Sequence, residues 1–445
     1  MPDSLRVTIT GIDDDGRGLA TVGRRKVRVS QAYPGEDVVF QIDKKTRGEF
    51  QGRVQRLVAP SEDRIPSPCE HEFICTGCPL LGLSLESERE FKANKVTRIL
   101  EECAPGFDTG ALEYEVPSEP FGYRYYAKQV FGVARGRPVL GAFVAGTHHL
   151  VDNGGCPVLE PGIGRVLDRL IEGVREHRIR VHTEQEAGLR FALTRGSRAF
   201  SEELLVLSTS CRDHGKRGGS LWEMVETLVR EVDSLKGVVV LLNEASGNSL
   251  LLGETLFEVG TVAIRESLGG FEHRVGPRSF FQINPVSADV LFGTAFEFAG
   301  EGESCLELFS GVGALTFELA RRFTKVHAVE VNPEAVAALN ERGAELKLGV
   351  QATVGDATEV AATILSQFDP TVCVADPPRK GLGEALCDTL VQSSIQRIVL
   401  LSCDPDSLQK DLPRLRVGGF EVKAVRAIDQ FPRTAHVETV TLLER

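Results

Sequence analysis

Leu306–Ala320 reads LELFSGVGALTFELA. A short apolar run closes at Leu308, glycines follow at Gly311 and Gly313, and apolar residues then recur at helical spacing, which spells strand, turn, helix. Glycines there permit a tight turn and let the backbone come close to a ligand at a helix N-terminus. The next apolar run, HAVEVN, ends at Glu330, 17 residues beyond Gly313. Nucleotide-binding folds hold ribose hydroxyls with an acid at the second strand's end; a solvated strand-end charge would give the same letters. Asp356, beyond the third strand, suits a contact on the adenine side. Around this core, strands are predicted at Cys305–Leu308, Val326–Val329, Ala352–Val354, Val372–Ala375, Ile398–Leu401, Glu421–Ile428 and Val437–Leu443. Helical stretches separate the first five, so the sheet is expected to be parallel, doubly wound and α/β in class. No helix separates the last two, and an antiparallel edge is expected there.

Two further motifs fall at strand carboxyl ends, where such sheets bind ligands. DPPRKG, Asp376–Gly381, follows the fourth strand. Its prolines stiffen the loop, and a purely structural turn has no need of Asp, Arg and Lys together. LSCDP, Leu401–Pro405, follows the fifth. Cys403 precedes a helix predicted to begin near Pro405, whose positive end should favour the thiolate; an inert packed cysteine is the alternative. Glu438, in HVET, is by itself only a charge on an alternating strand. Nothing in the sequence brings it to Cys403.

At roughly 150 residues per domain, 445 residues suggest about three domains. The 51 Lys and Arg against 63 Asp and Glu leave a net charge of −12, which argues against a histone-like binder held by bulk charge. No apolar run approaches the roughly 18 residues that cross a bilayer, and MPDSLRVTIT lacks the layout of a secretory leader. A cytoplasmic protein without membrane contact is expected. Of the ten cysteines, Cys103, Cys211, Cys305, Cys373 and Cys387 lie among apolar residues and read as core. Cys69, Cys75, Cys78 and Cys156 lie in turn-like surroundings. Four such thiols can close a metal site, and their spacing leaves zinc and an iron–sulfur cluster equally open.

Residues 1–60 carry short alternating runs between Gly, Asp and Pro turns, with 11 Lys and Arg against 8 Asp and Glu. They predict a small β domain with basic clusters at Arg24, Arg25, Lys26, Arg28 and at Lys44, Lys45, Arg47. A barrel that grips a nucleic-acid backbone and an ordinary solvated face both fit. Gly122–Val133, GYRYYAKQVFGV, interleaves aromatics with Arg124 and Lys128, as a base-stacking surface or a half-buried strand would.

Taken in order, FFQIN (Phe280–Asn284), LELFSGVG, DPPRKG, LSCDP and HVET resemble the S-adenosylmethionine-dependent RNA uracil-5-methyltransferases. The cysteines and the N-terminal β segment resemble the subgroup with a TRAM domain and a four-iron four-sulfur cluster, whose known members modify 23S ribosomal RNA. The likeness spans nearly the whole chain. It implies a TRAM β-barrel, OB-like and RNA-binding, over residues 1–60. A central α+β domain with the cluster would cover 61–275, and a Rossmann-like methyltransferase domain 276–445. In some relatives the helix after the cysteine triplet packs on the catalytic domain, which would blur these boundaries. Cys403 would be the nucleophile and Glu438 the base. Gln282, Phe309, Gly311, Gly313, Glu330, Asp356 and Asp376 would surround S-adenosylmethionine or the target base, and Cys69, Cys75, Cys78 and Cys156 would hold the cluster. Ala314 departs from the pattern, since many relatives have Asn there, and one side-chain contact to the cofactor is lost. A monomer is expected. The nearest alternative substrate is a transfer-RNA T-loop uridine. A non-catalytic RNA-binding protein on a methyltransferase fold and a small-molecule methyltransferase are more distant alternatives.

Overall fold

The computed structural model describes residues 4–144, 147, 150–245, 247, 251, 253–279 and 281–445. Phe280, the first residue of the FFQIN motif, lies outside them. The C-terminal half is built on an eight-stranded sheet. Its order runs Val350–Val354, Phe323–Glu330, Gly302–Leu308, Val372–Ala375, Arg397–Ser402, Glu438–Glu444, Glu421–Ile428 and Glu113–Glu115. The first five strands are mutually parallel, as helical crossovers require. Leu306, Leu308, Cys373, Ala375, Ile398 and Leu400 pack on one face, and Cys305, Val326, Val374, Val399 and Leu401 on the other. Burial on both faces explains why these strands read as unbroken apolar runs.

The last two strands pair antiparallel, as expected, but a further strand lies outside them. Glu438–Glu444 is not at an edge: it lies antiparallel between Arg397–Ser402 and Glu421–Ile428, and its buried residues Val440, Thr441 and Leu443 suit an interior strand. The helix Leu85–Cys103, capped by Ser84, whose hydroxyl accepts the Ser87 N–H at 3.2 Å, sends Val96, Ile99, Leu100 and Cys103 into this same core. Glu113–Glu115 then adds the eighth strand. The 61–275 stretch therefore divides its residues between two packing units.

The second unit is a seven-stranded sheet ordered Leu150–Asp152, Arg137–Phe143, Tyr126–Ala134, Leu189–Gly196, Glu203–Thr209, Leu235–Leu242 and Glu254–Gly260. Helices Pro161–Glu176 and Ser220–Glu231 cover one face of it. Tyr126–Ala134 is an interior strand, so this part of the aromatic stretch is sheet. A third sheet, of six strands, spans Ser4 to Ala59 around Val27, Val29, Val38 and Phe40. Its two outermost strands, Ser4–Thr8 and Gly11–Ile12, are consecutive in the chain, which forces the sheet to curl towards a barrel.

A buried cluster of charge ties helix Leu85–Cys103 to the loop that leads into Glu438. Lys92, wholly buried, donates to Glu88 at 2.7 Å and to both oxygens of Asp429 at 2.9 Å. Arg433, in left-handed backbone (φ 68°), donates its N–H to Glu88 and its guanidinium to the Leu83 carbonyl, each at 2.7 Å. Removing one member leaves buried charge unmatched, which typically costs about 3–5 kcal/mol. Lys92→Met should lower the denaturant midpoint accordingly; a loss below about 0.5 kcal/mol would show that the cluster is not structural.

Candidate active site

The glycine turn sits where the first strand of the parallel series ends. Phe309 (φ 65°) and Gly311 (φ 55°) both adopt left-handed backbone, a strained choice for a bulky residue that its surroundings must enforce. Ser310 N–H donates to the Val329 carbonyl at 3.1 Å and Gly313 N–H to the Ser310 carbonyl at 3.0 Å. The two glycines serve different ends. A Cβ on Gly313 would stand 2.2 Å from Leu339 Cδ2, so that position keeps helix and turn in close contact. A Cβ on Gly311 would meet nothing within 4 Å; it faces open space beside Glu330. The Glu330 carboxylate accepts the Gly311 N–H at 3.0 Å and the Asn332 N–H at 2.9 Å, which fixes it over that space. Asp356 caps the helix Ala357–Phe368 by accepting the Thr358 N–H at 2.8 Å, a structural duty that the sequence did not suggest.

The strand register brings Cys403 and Glu438 together. Ser402 pairs with Thr439 in antiparallel alignment, so the next pair outward is 403 with 438. They share this sheet end with Asp376, whose N–H reaches the Leu308 carbonyl at 3.4 Å. Burial pushes Glu438 up to about 8, with Asp376 adding to the rise and Arg379 opposing it. Burial also raises Asp376 to about 6. Cys403 lies near 12, raised by burial first and then by Glu438 and Asp376, with Arg379 again opposing. The expected thiolate-favouring helix end is therefore overruled. Pro405–Ser407 is one 3₁₀ turn, the α-helix begins only at Leu408, and the Asp404 carboxylate already accepts the Asp406 N–H at 3.3 Å.

Two residues outside the predicted set belong here. Arg379 is the positive charge facing both Cys403 and Glu438; its signal was the Arg in DPPRKG. Glu307, pushed up to about 8 by burial, is raised further by Asp376 and Glu330, with the neighbouring Thr316 hydroxyl opposing. An acid inside the apolar run LEL was its trace. Gln282 stands at the border with the seven-stranded sheet, where its side-chain Oε1 accepts from Gln430 Nε2 at 2.9 Å. Tyr123 is buried, with its hydroxyl donating to the Pro432 carbonyl at 2.9 Å, so it is no stacking platform.

Cys69, Cys75, Cys78 and Cys156 line one hollow. Burial, then the neighbouring Cys156 and Cys75, push Cys78 up to about 12. Gln31, from the N-terminal sheet, donates to the Cys75 carbonyl at 3.1 Å, and Leu80 N–H donates to the Arg433 carbonyl at 3.1 Å. The cysteine segment thus bridges the curled sheet and the loop before Glu438. Among the described residues, no three His, Cys, Asp or Glu side chains converge tightly enough for a single metal ion.

Because Glu438 carries charge only above about pH 8, and that charge holds the Cys403 thiol up, Glu438→Gln should speed iodoacetamide labelling of Cys403 several-fold above pH 8. Below pH 7 the two proteins should label alike. Slower labelling of the variant, read by mass spectrometry of the Cys403 peptide, would contradict this electrostatic coupling.

Among the described residues no helix is long and apolar enough to cross a membrane. Residues 222–445 match the family model described as tRNA (Uracil-5-)-methyltransferase. An uncharacterised RNA methyltransferase of Halalkalibacterium halodurans is 30% identical over 99% of this chain and 97% of its own length. One from Geobacter sulfurreducens is 28% identical over 99% of this chain and 90% of its own. Among solved structures, the tRNA (uracil-54, C5)-methyltransferase of Pyrococcus abyssi, in complex with S-adenosyl-L-homocysteine, superimposes with a TM-score of 0.78 at 25% identity, covering 99% of this chain and all of that one. With a methyltransferase sheet, a glycine turn facing a strand-end acid, and relatives matching from end to end, the chain belongs to the tRNA (uracil-5-)-methyltransferase family and is an RNA methyltransferase.

Proposed function

We propose that this protein methylates carbon 5 of a uridine in structured RNA, 23S ribosomal RNA, through a covalent link between Cys403 and the base. The observation that carries the reading is the register that sets Cys403 beside Glu438. Carbon 5 of uracil is too weak a nucleophile to attack a methyl donor unaided. Adding the Cys403 thiolate to carbon 6 places electron density on carbon 5. S-adenosylmethionine, when bound, supplies the electrophilic methyl group. The Glu438 carboxylate then takes the carbon 5 proton, a task to which its pKa near 8 suits it. The electron pair released expels the thiolate and restores the ring. Arg379 faces the sulfur and steadies its charged form.

Gly311 and Glu330 would receive the donor, with Glu330 turning its carboxylate to ribose hydroxyls. Gly313, Phe309 and Asp356 would shape that cradle, and Gln282 and Asp376 would lie towards the target base. The target uridine must leave its stack, which costs least in loops and bulges. The curled N-terminal sheet is read as the TRAM module. Arg24, Lys26, Lys44, Lys45 and Arg47 are exposed on it, whereas Arg28 is already paired with Asp13 at 3.3 Å and Glu49 at 3.1 Å.

Cys69, Cys75, Cys78 and Cys156 would hold a four-iron four-sulfur cluster, which supplies a rigid cross-link between distant segments. A donor set of four thiols suits it. A zinc ion would instead need all four sulfurs about 2.3 Å from one point. Transfer RNA is the second reading. It is favoured by the whole-chain likeness to the Pyrococcus abyssi enzyme, which extends over the N-terminal sheet and cysteine segment as well.

Mapping 5-methyluridine in ribosomal and transfer RNA from cells lacking the protein decides between the two, and an unchanged map in both overturns the proposal. Cys403→Ala should abolish methylation and every protein–RNA adduct. Glu438→Gln should accumulate a covalent complex with methylated RNA; a variant that turns over freely would remove Glu438 as the base. Protein purified without oxygen should be brown with about four irons per chain, and colourless protein containing zinc would remove the cluster.

A further inference from the structure

Arg195 is an isolated charge inside the molecule. It lies on the strand Leu189–Gly196, opposite Tyr126, and is only 6% exposed. Its guanidinium rests over the Tyr126 ring, 5.3 Å from the centroid. Among the described residues neither its Nε nor its Nη1 finds a hydrogen-bond partner. A buried guanidinium without a matching anion is unfavourable, and burial accordingly lowers its pKa. The fork lines a narrow hollow together with Tyr125, Tyr126, Glu266, Phe281 and Gln282. Glu266 does not neutralise it. Its carboxylate accepts the backbone N–H groups of Arg198 at 2.7 Å, Ala199 at 3.1 Å and Ser267 at 2.8 Å.

The hollow opens beside the catalytic edge. Gln282 is bonded to Gln430, which lies two residues past Ile428, the sheet partner of Glu438. No residue of the glycine turn lines it, so the methyl donor's cradle is elsewhere. Unfilled guanidinium donors match phosphate oxygens in a fork. We propose that Arg195 receives a backbone phosphate of the RNA next to the methylated uridine. The inference rests on the uridine-methylation reading, and adds to it the residue that fixes the strand's position.

The test measures binding and kinetics of the whole protein with unmodified 23S ribosomal RNA and transfer RNA transcripts. Arg195→Gln should weaken RNA binding and raise the KM for RNA about tenfold, and leave the KM for S-adenosylmethionine unchanged. The slope of log affinity against log salt should become shallower by about one. Arg195→Lys should keep most of that slope. Wild-type affinity and slope in the glutamine variant, or a change confined to thermal stability or to the KM for S-adenosylmethionine, would overturn the proposal. If the glutamine variant does not fold, single methylphosphonates placed along a hairpin spanning the mapped uridine answer on the wild-type protein. One neutralised linkage beside the uridine should weaken binding about tenfold, and a flat scan would overturn the assignment. Failure of the wild type to bind either RNA would sink the uridine-methylation reading itself, a distinguishable result.

Discussion

The loop from Asp429 to Val437 decides where Glu438 can stand, and the buried salt-bridge cluster holds that loop. Lys92 alone neutralises carboxylates from two elements, Glu88 on its own helix and Asp429 at the loop's start. Arg433 returns to Glu88 from the loop's far side. An apolar contact could tolerate sliding by a side chain's width. Buried charges have no such freedom, because each displaced partner would leave an ion in a medium that cannot solvate it. The cysteine segment and the curled sheet add to the restraint through Leu80 and through Gly16, where a Cβ would lie 3.5 Å from Ala435.

What the letters disclosed followed from how local each signal is. The glycine turn, the parallel strands and the strand-end loops depend on neighbours within about twenty residues, and their spacing announced them. The pairing of Cys403 with Glu438 depends on a register between strands separated by Glu421–Ile428, and no local pattern encodes it. The insertion of Glu438–Glu444 between two strands was hidden for the same reason. An alternating run looks alike at an edge and inside a sheet until its neighbours are known. The helix Leu85–Cys103 announced its existence by its periodicity; that its apolar face belongs to a sheet whose central strands come two hundred residues later was foreshadowed only by the family resemblance. The effect of burial on Cys403 was also invisible. Sequence showed a thiol near a helix start, and only its burial, followed by the surrounding acids, reveals why its proton is held so firmly.

Those acids form an enclave. Burial raises the pKa values of Glu307, Asp376 and Glu438, and Asp376 adds to the rise at the other two. Held largely neutral near pH 7, Glu307 and Glu438 put little negative charge in the way of a polyanionic substrate. Exposed positive charge gathers on the N-terminal sheet, at Arg24, Lys26, Lys44, Lys45 and Arg47.

The Lys92–Asp429 contact joins residues 337 positions apart. A nascent chain emerging from the ribosome has made helix Leu85–Cys103, with its lysine and glutamate, long before their counterparts exist. Until residues 429–444 are synthesised, the strands flanking the missing sixth member of the sheet expose open backbone edges. Loop closure over such a distance is entropically slow. Assembly of the catalytic half is therefore among the last events of folding, and the half-made sheet is the form most in need of protection by chaperones.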